Sequence, residues 1–214
     1  MRHTKKLAAL GIAAALVVGL TACSNDSSDD GAAGASNGAT ATASASDVAF
    51  AQAMIPHHQQ AVAMADMALD PASGASAEVQ DLATQIKAAQ DPEIQQMTMM
   101  LGDWGQPTAM PGATSPGDMS GSMGHDMGGM TVSGMMSDED MAALDGKTGA
   151  AFDQEWLAMM TEHHQGAIDM AEQAAAATLD PQVAALADDI ITAQQAEIAT
   201  MGKLMAPTTE TPAP

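Results

Sequence analysis

Two short segments of this chain carry the same arrangement of side chains that can bind metals. The segments are MIPHHQQAVAMA, which starts at position 54, and MTEHHQGAIDMA, which starts at position 160. Each has a methionine three residues before a His-His pair and another six residues after it, and the two pairs hold four of the chain's six histidines. Imidazole nitrogen and thioether sulfur are ligands that suit copper. The repeated pattern therefore predicts a metal site and not packing alone.

Polar residues also interrupt the apolar faces of two other predicted helices. At helical periodicity, Gln90 and Glu93 fall on the stripe that should face the core, and Gln194 and Glu197 repeat this pattern. A buried carboxylate is costly unless it is paired or bound to a metal. We expect each glutamate to face a protonated histidine or a metal shared with histidine and methionine, with a metal-free Glu–His ion pair as the alternative. The candidate ligands on these two helices are Glu93, Met97, Glu197 and Met201.

A glycine-rich segment between the two halves holds a second candidate site. Its methionines have few bulky apolar neighbours in sequence, so a local core does not explain them. The segment resembles the methionine-rich motifs of bacterial copper-resistance proteins, and flexible glycines would let several thioethers and one imidazole surround a soft ion such as Cu(I) or Ag(I). A linker of biased composition is the alternative. The candidate ligands are Met119, Met123, His125, Met127 and Met130.

Helical periodicity and end signals predict four long helices and one short helix. Asp70 precedes a proline, which ends the first helix, and Asp180 precedes Pro181 at the start of the last helix. Ser137 begins a capping box that opens the short helix. No strand is predicted. The predicted helices cover residues 47–70, 77–104, 138–145, 148–178 and 181–205, with a Met/Gly-rich linker at residues 105–136.

The two halves of the chain are repeats of one helical hairpin. The first and third long helices match at a constant offset of 106, and the second and fourth match at an offset of 104. One hairpin cannot bury both of its apolar faces, so two hairpins should close into an all-α four-helix bundle. Asp91-Pro92 has no counterpart in the fourth long helix, and the proline predicts a kink at residues 88–92.

The N-terminal residues predict export and a lipid anchor. Residues 1–22 read as a signal peptide, because Arg2, Lys5 and Lys6 precede an apolar run that is too short to span a bilayer. The sequence Leu-Thr-Ala-Cys that ends at Cys23 resembles a bacterial lipobox, which predicts lipidation of Cys23. Residues 23–46 then form a flexible tether, residues 47–205 form the bundle domain, and residues 206–214 form a disordered tail.

Charge and composition restrict the partners of the exported chain. Beyond the signal, only Lys87, Lys147 and Lys203 stand against 27 acidic residues, so nucleic acid is excluded as a partner and cations are favoured. The chain has 20 methionines and one cysteine. Thioethers remain available where thiols would form disulfides, so this composition suits copper outside the cytoplasm.

These motifs together resemble bacterial domain-of-unknown-function family 305. The resemblance covers residues 47–205 and implies a ferritin-like four-helix fold in exported proteins, some of them associated with copper binding or resistance. Neither His-His pair has a glutamate three residues before it, which separates this chain from ferritin-type di-iron enzymes. The metal-associated positions that the resemblance implies are Met54, His57, His58, Met64, Met160, His163, His164 and Met170.

The sequence therefore favours a copper-binding lipoprotein on the outer side of the bacterial cell membrane. We expect it to bind metal ions, to contact the membrane through its anchor and to exchange copper with a protein partner, for buffering, trafficking or resistance, without enzymatic activity. A metal oxidase that uses Glu93 and Glu197 and a metal-free interaction module are the alternatives. An imidazole of ordinary pKa must lose a proton to bind metal, so we expect histidine sites to weaken near pH 5 while the linker site persists.

Overall fold

The computed structural model describes residues 43–109, 126–127 and 130–206, and at 126–131 only the backbone is described. Four long α-helices and one short α-helix account for most of these residues. Every helix end lies within two residues of its predicted position. The prediction of an all-α fold is confirmed. The helices are α1 (Ala45–Leu69), α2 (Ala77–Asp103), α3 (Asp138–Asp145), α4 (Ala150–Ala177) and α5 (Pro181–Met205), with a 3-10 turn at Pro71–Ser73.

Side-chain caps fix the helix ends in the way that the local sequence predicts. The Ser137 hydroxyl accepts a hydrogen bond from the Asp140 backbone N–H, and the Asp140 carboxylate accepts one from the Ser137 backbone N–H, which completes the capping box. The Asp180 carboxylate accepts hydrogen bonds from two backbone N–H groups at the start of α5, with Pro181 in the first turn. These local interactions explain why the helix boundaries follow from the sequence.

The long helices associate as two hairpins. α1 packs along α2 and α4 packs along α5, while the two hairpins meet mainly along α1 and α4. The contact between α2 and α5 is smaller. This arrangement is the four-helix bundle of two repeated hairpins that the sequence predicts. Within the described residues, no helix is both long and apolar enough to cross a membrane.

Two proline residues lie inside the long helices. Pro92 lies within α2, which continues without interruption to Asp103, so the kink at 88–92 remains a prediction. Pro56 lies within α1, directly before His57. Because proline has no N–H, the carbonyl groups of Gln52 and Ala88 each lack the usual helical donor four residues later.

A small antiparallel strand pair corrects the prediction that the chain contains no strand. β1 (Asp126–Met127) pairs with β2 (Met130–Thr131), with Met127 opposite Met130. The sequence between the strands is Gly-Gly, which is typical of two-residue hairpin loops. The strands are too short to show the alternating pattern by which strands are recognised.

The apolar core is divided into two clusters that lie on either side of a polar layer. The first cluster, called the Phe50 cluster, contains the buried apolar residues that precede His57 in α1 and follow Glu93 in α2. The second, called the Trp156 cluster, contains those that follow His58 in α1 and precede Gln90 in α2. α4 and α5 are divided in the same way. The polar layer between the clusters consists of His57, His58, Gln90, Glu93, His163, His164, Gln194 and Glu197.

Candidate metal centre

All four histidines of the repeated motif are fully buried in the polar layer, each with 0% exposure. The rings of His57 and His163 pack against each other across α1 and α4, with centroids 3.8 Å apart and planes tilted by 41°. The ring centroids of His163 and His164 are 6.3 Å apart. The structure thus brings the two copies of the motif together at the centre of the bundle.

Helical geometry explains why each His-His pair divides between two neighbours. Adjacent residues on a helix point about 100° apart, so the two histidines leave α1 or α4 on opposite sides of its apolar stripe. His57 and His163 meet between the hairpins, whereas His58 faces α2 and His164 faces α5.

Glu93 and Glu197, which lie on the core-facing sides of α2 and α5, each form a hydrogen bond with one histidine. His58 Nε2 donates a hydrogen bond to Glu93 Oε2 at 2.8 Å, and His164 Nε2 donates to Glu197 Oε2 at 2.7 Å. Both carboxylates are largely covered, with 16% and 14% of their side-chain surface exposed. A carboxylate on one imidazole nitrogen fixes the orientation of the ring and raises the basicity of the other nitrogen. The Glu–His pairing expected from the sequence as the alternative to metal ligation is therefore present.

Burial keeps the two stacked histidines neutral. Loss of solvent around the ring, followed by the proximity of His58, lowers the pKa of His57 from 6.5 to about 3. Burial, followed by the proximity of His57, also lowers the pKa of His163 well below 6.5. Both rings therefore take up a proton less readily than a free imidazole. The pKa of His57 lies below pH 5, so the expectation that histidine sites weaken near pH 5 is revised for this residue.

Five buried imidazole nitrogens have no hydrogen-bond partner among the described residues. His57 Nε2 donates to the Ser133 carbonyl at 3.0 Å, so in the neutral ring Nδ1 carries a lone pair. Copper binds imidazole through the lone pair of a ring nitrogen. The unpartnered nitrogens of the layer are therefore chemically suited to hold a copper ion. The five atoms are His57 Nδ1, His58 Nδ1, His163 Nδ1, His163 Nε2 and His164 Nδ1.

Methionine side chains border the polar layer on both sides. Met54 and Met97 are fully buried in the Phe50 cluster, and Met160 and Met201 are fully buried in the Trp156 cluster. Each lies three or four residues from a member of the layer on its own helix, which is about one turn. The Thr161 hydroxyl donates to the Met201 sulfur at 3.6 Å. These four thioethers are therefore the methionine sulfurs that lie about one helical turn from the layer.

Two other predicted ligands lie farther from the layer. Met64 and Met170 are six residues beyond the second histidine of each pair, about 9 Å along the helix axis at a rise of 1.5 Å per residue. Both are buried in the apolar clusters. The structure therefore places them in the packing and does not bring them together with the histidines.

The candidate ligands in the linker are mostly outside the described residues. Met119, Met123 and His125 lie there, as do Cys23 and the signal peptide. The backbones of Met127 and Met130 are paired in the strands, but their side chains are not described. The linker site remains a prediction.

In their present arrangement the imidazoles do not converge on one point. Among the described residues, no three His, Cys, Asp or Glu side chains are placed to hold a metal ion together. The planes of the His57 and His163 rings are tilted by 41°, and imidazole lone pairs lie in the ring planes. The donor types nevertheless fit copper.

A backbone strap that the sequence did not predict covers the layer between α1 and α4. The strap consists of residues 132–136, which end the linker. The Gln60 side chain bonds both the N–H and the carbonyl of Met136 at 2.8 Å, in addition to the bond from His57 to Ser133. Gly134 and Gly166 allow the backbones of strap and α4 to touch. Gly166 in the second half of the chain is equivalent to Gln60 in the first half. This difference between the repeats is the feature of the sequence that could have indicated the strap.

Fold and site together define an all-α bundle built from a duplicated hairpin with a buried histidine layer. The family model for a domain of unknown function, DUF305, matches residues 47–205, and the chain belongs to this family. No curated protein matches the chain significantly.

Solved structures of similar proteins support the assignment. A DUF305 fragment from Deinococcus radiodurans is 32% identical, covers 76% of this chain and 96% of its own, and has a TM-score of 0.61. A DUF305 protein from Streptomyces coelicolor, described as secreted, is 30% identical over 74% of this chain and 91% of its own, with a TM-score of 0.63. CopM in its Cu(II)-bound form is 33% identical, covers 74% of this chain and 94% of its own, and has a TM-score of 0.58. CopM is also known in Cu(I)-bound and silver-bound forms.

Proposed function

We propose that this protein binds copper outside the cytoplasm and serves in copper buffering, trafficking or resistance. The observation that carries the proposal is the set of buried imidazole nitrogens without partners at the centre of the bundle. Buried polar atoms are normally satisfied, and in the neutral state each of the four rings keeps one lone pair on an unpartnered nitrogen, so the layer favours a ligand that accepts lone pairs. The similarity to CopM, which has been solved with Cu(II), Cu(I) and silver bound, supports copper as that ligand.

The protein's own residues divide the task of holding the ion. In this proposal the imidazoles of His57, His58, His163 and His164 supply nitrogen donors, Glu93 and Glu197 orient two of them, and the adjacent methionines supply sulfur for Cu(I). The linker, with Met119, Met123, His125, Met127 and Met130, captures Cu(I) as a second site.

Export and anchoring complete the proposed role. The signal at residues 1–22 would direct export, and lipidation of Cys23 would hold the bundle at the cell membrane by a tether that ends where α1 begins at Ala45. The secreted relative from Streptomyces coelicolor supports a location outside the cytoplasm. A copper-handling protein would exchange metal with the bundle there.

Metal analysis of three forms of the purified protein tests the proposal. After growth in copper, the intact protein should carry copper in both sites. Deletion of residues 106–131 should remove the linker-bound share and leave the strap, whereas His57→Ala with His163→Ala should remove the bundle-bound share. Absence of copper, Cu(I) or Ag(I) binding in the intact protein would refute the proposal and favour a metal-free module held together by the Glu–His pairs.

A further inference from the structure

Two glutamine side chains are buried in the polar layer without any hydrogen-bond partner. Gln90 in α2 is 1% exposed and Gln194 in α5 is 2% exposed. Among the described residues, neither the Oε1 nor the Nε2 atom of either amide has a partner. The two residues occupy equivalent positions in the repeated hairpins, so the same unusual environment occurs twice.

Two other glutamines, one buried and one partly buried, have hydrogen-bond partners. Gln52 is 7% exposed, and its Nε2 donates to the Pro107 carbonyl at 2.8 Å. Gln60 uses both ends of its amide on the Met136 backbone. An unsatisfied amide in the interior destabilises the fold, and leucine at the same position would pack without that cost. Gln90 and Gln194 therefore call for a role other than packing.

The helix places each amide beside a histidine of the layer. Residues three apart on a helix share one face, so Gln90 projects from the same side of α2 as Glu93, which bonds His58. Gln194 and Glu197 have the same relationship in α5, where Glu197 bonds His164. The layer thus contains two neutral carboxamide oxygens in addition to the unpartnered imidazole nitrogens.

The chemistry of these oxygens distinguishes between the two oxidation states of copper. Carboxamide oxygen is a harder ligand than thioether sulfur, so it suits Cu(II) in combination with imidazole, whereas sulfur suits Cu(I). The carboxamide oxygen carries no titratable proton, so its availability as a ligand does not depend on pH.

We propose that Gln90 and Gln194 are the residues that let the histidine layer accept Cu(II), by binding it through their carboxamide oxygens. The inference rests on copper binding by the bundle, as proposed above. It assigns Cu(II) to the histidine–glutamine layer and leaves Cu(I) to the methionines.

Leucine substitution of both glutamines in the purified protein tests this assignment. Cu(II) affinity, measured against a competing chelator, should fall by about tenfold or more, which is the usual loss when a polar group at a metal site is removed. Ag(I), used as a redox-stable probe of the Cu(I) sites, should bind within about threefold of the parent. The electron paramagnetic resonance spectrum of bound Cu(II) should change as oxygen donors are lost, and the metal-free protein should melt at the same or a higher temperature.

Gln52→Leu is the matched control, because this buried glutamine has a partner. It should lower the melting temperature and leave both metal affinities unchanged. Replacement of Gln90 and Gln194 by methionine, which preserves side-chain length and flexibility, should shift the preference toward Ag(I) and provides a second test if the leucine variant fails to fold.

The inference is overturned if the double variants keep their Cu(II) affinity, or if they lose affinity for Cu(II) and Ag(I) equally. Failure of the parent protein to bind either ion would refute copper binding itself, which is a separate result. A parent that binds Ag(I) but not Cu(II) would leave copper binding in place and overturn only the role of the two glutamines.

Discussion

His57 and His163 are separated by 106 positions in the chain, yet their rings pack at a centroid distance of 3.8 Å. The two residues are equivalent in the repeat but not in their surroundings. His57 donates to the Ser133 carbonyl of the strap, while both nitrogens of His163 have no partner among the described residues. The strap therefore makes the two halves of a duplicated site different.

This difference predicts opposite effects of leucine at the two positions. His163→Leu removes two unsatisfied nitrogens, so the free energy of unfolding of the metal-free protein at pH 7 should be retained or should rise. His57→Leu breaks the hydrogen bond to the Ser133 carbonyl and should lower the free energy of unfolding by about 1 kcal/mol. Urea titrations of both variants give the comparison, and a larger loss in His163→Leu would contradict it. Copper affinity should fall in both.

Acid should destabilise the metal-free protein through the same two rings. The folded pKa values of His57, about 3, and of His163 lie below the ordinary value of 6.5, so the unfolded chain takes up protons that the folded chain excludes. This cost is absent above pH 6.5 and grows as the pH falls below that value; for His57 it grows by about 1.4 kcal/mol per pH unit down to about pH 3.

Urea unfolding between pH 7 and pH 5 measures this dependence before most carboxylates titrate. The parent should lose stability over this range, and the double variant His57→Leu with His163→Leu should show a much flatter profile. A parent profile as flat as that of the variant would mean that the rings are protonated in the folded state.

The glutamates should act on copper affinity through the histidines that they hold. Glu93→Ala frees His58 Nε2 and should weaken copper binding by about 10- to 100-fold. Glu93→Gln keeps an oxygen that accepts the same hydrogen bond and should restore most of the affinity. If both variants lose affinity equally, the carboxylate itself is a ligand. Glu155→Ala, which removes an exposed ion pair with Lys147, is the control and should leave the affinity unchanged.

The helices of this protein could be predicted from the sequence because their ends depend on local chemistry. Ser137 and Asp140 cap one helix within a single turn, and Asp180 with Pro181 starts another. The gathering of the four histidines followed from the repeat, since a duplicated hairpin must place equivalent positions at equivalent heights. Their pairing with Glu93 and Glu197 followed from the cost of burying a carboxylate.

The strap could not be predicted, because it depends on the approach of two backbones from distant parts of the chain. Glycine in a linker indicates flexibility when it is read locally, and Gly134 was assigned to a flexible linker for that reason. The bond from His57 to Ser133 and the unpartnered state of His163 depend on this approach. The asymmetry of the site was therefore hidden from the sequence, although the exchange of Gln60 for Gly166 between the repeats marked its position.

Alanine at Gly134 of the strap or at Gly166 of α4 should destabilise the fold. A Cβ atom at Gly166 would lie 1.9 Å from the Ser133 carbonyl oxygen, and one at Gly134 would lie 2.7 Å from the Glu162 carbonyl oxygen, so backbone must move in both variants. Gly134 also has φ +79°, which disfavours alanine. We expect each variant to lose about 1–3 kcal/mol of unfolding free energy.

Gly202→Ala is the control, because the added Cβ meets nothing within 4 Å inside α5. This variant should instead gain up to about 1 kcal/mol of unfolding free energy. Equal stability of Gly166→Ala and Gly202→Ala in urea would mean that the strap does not rest on α4.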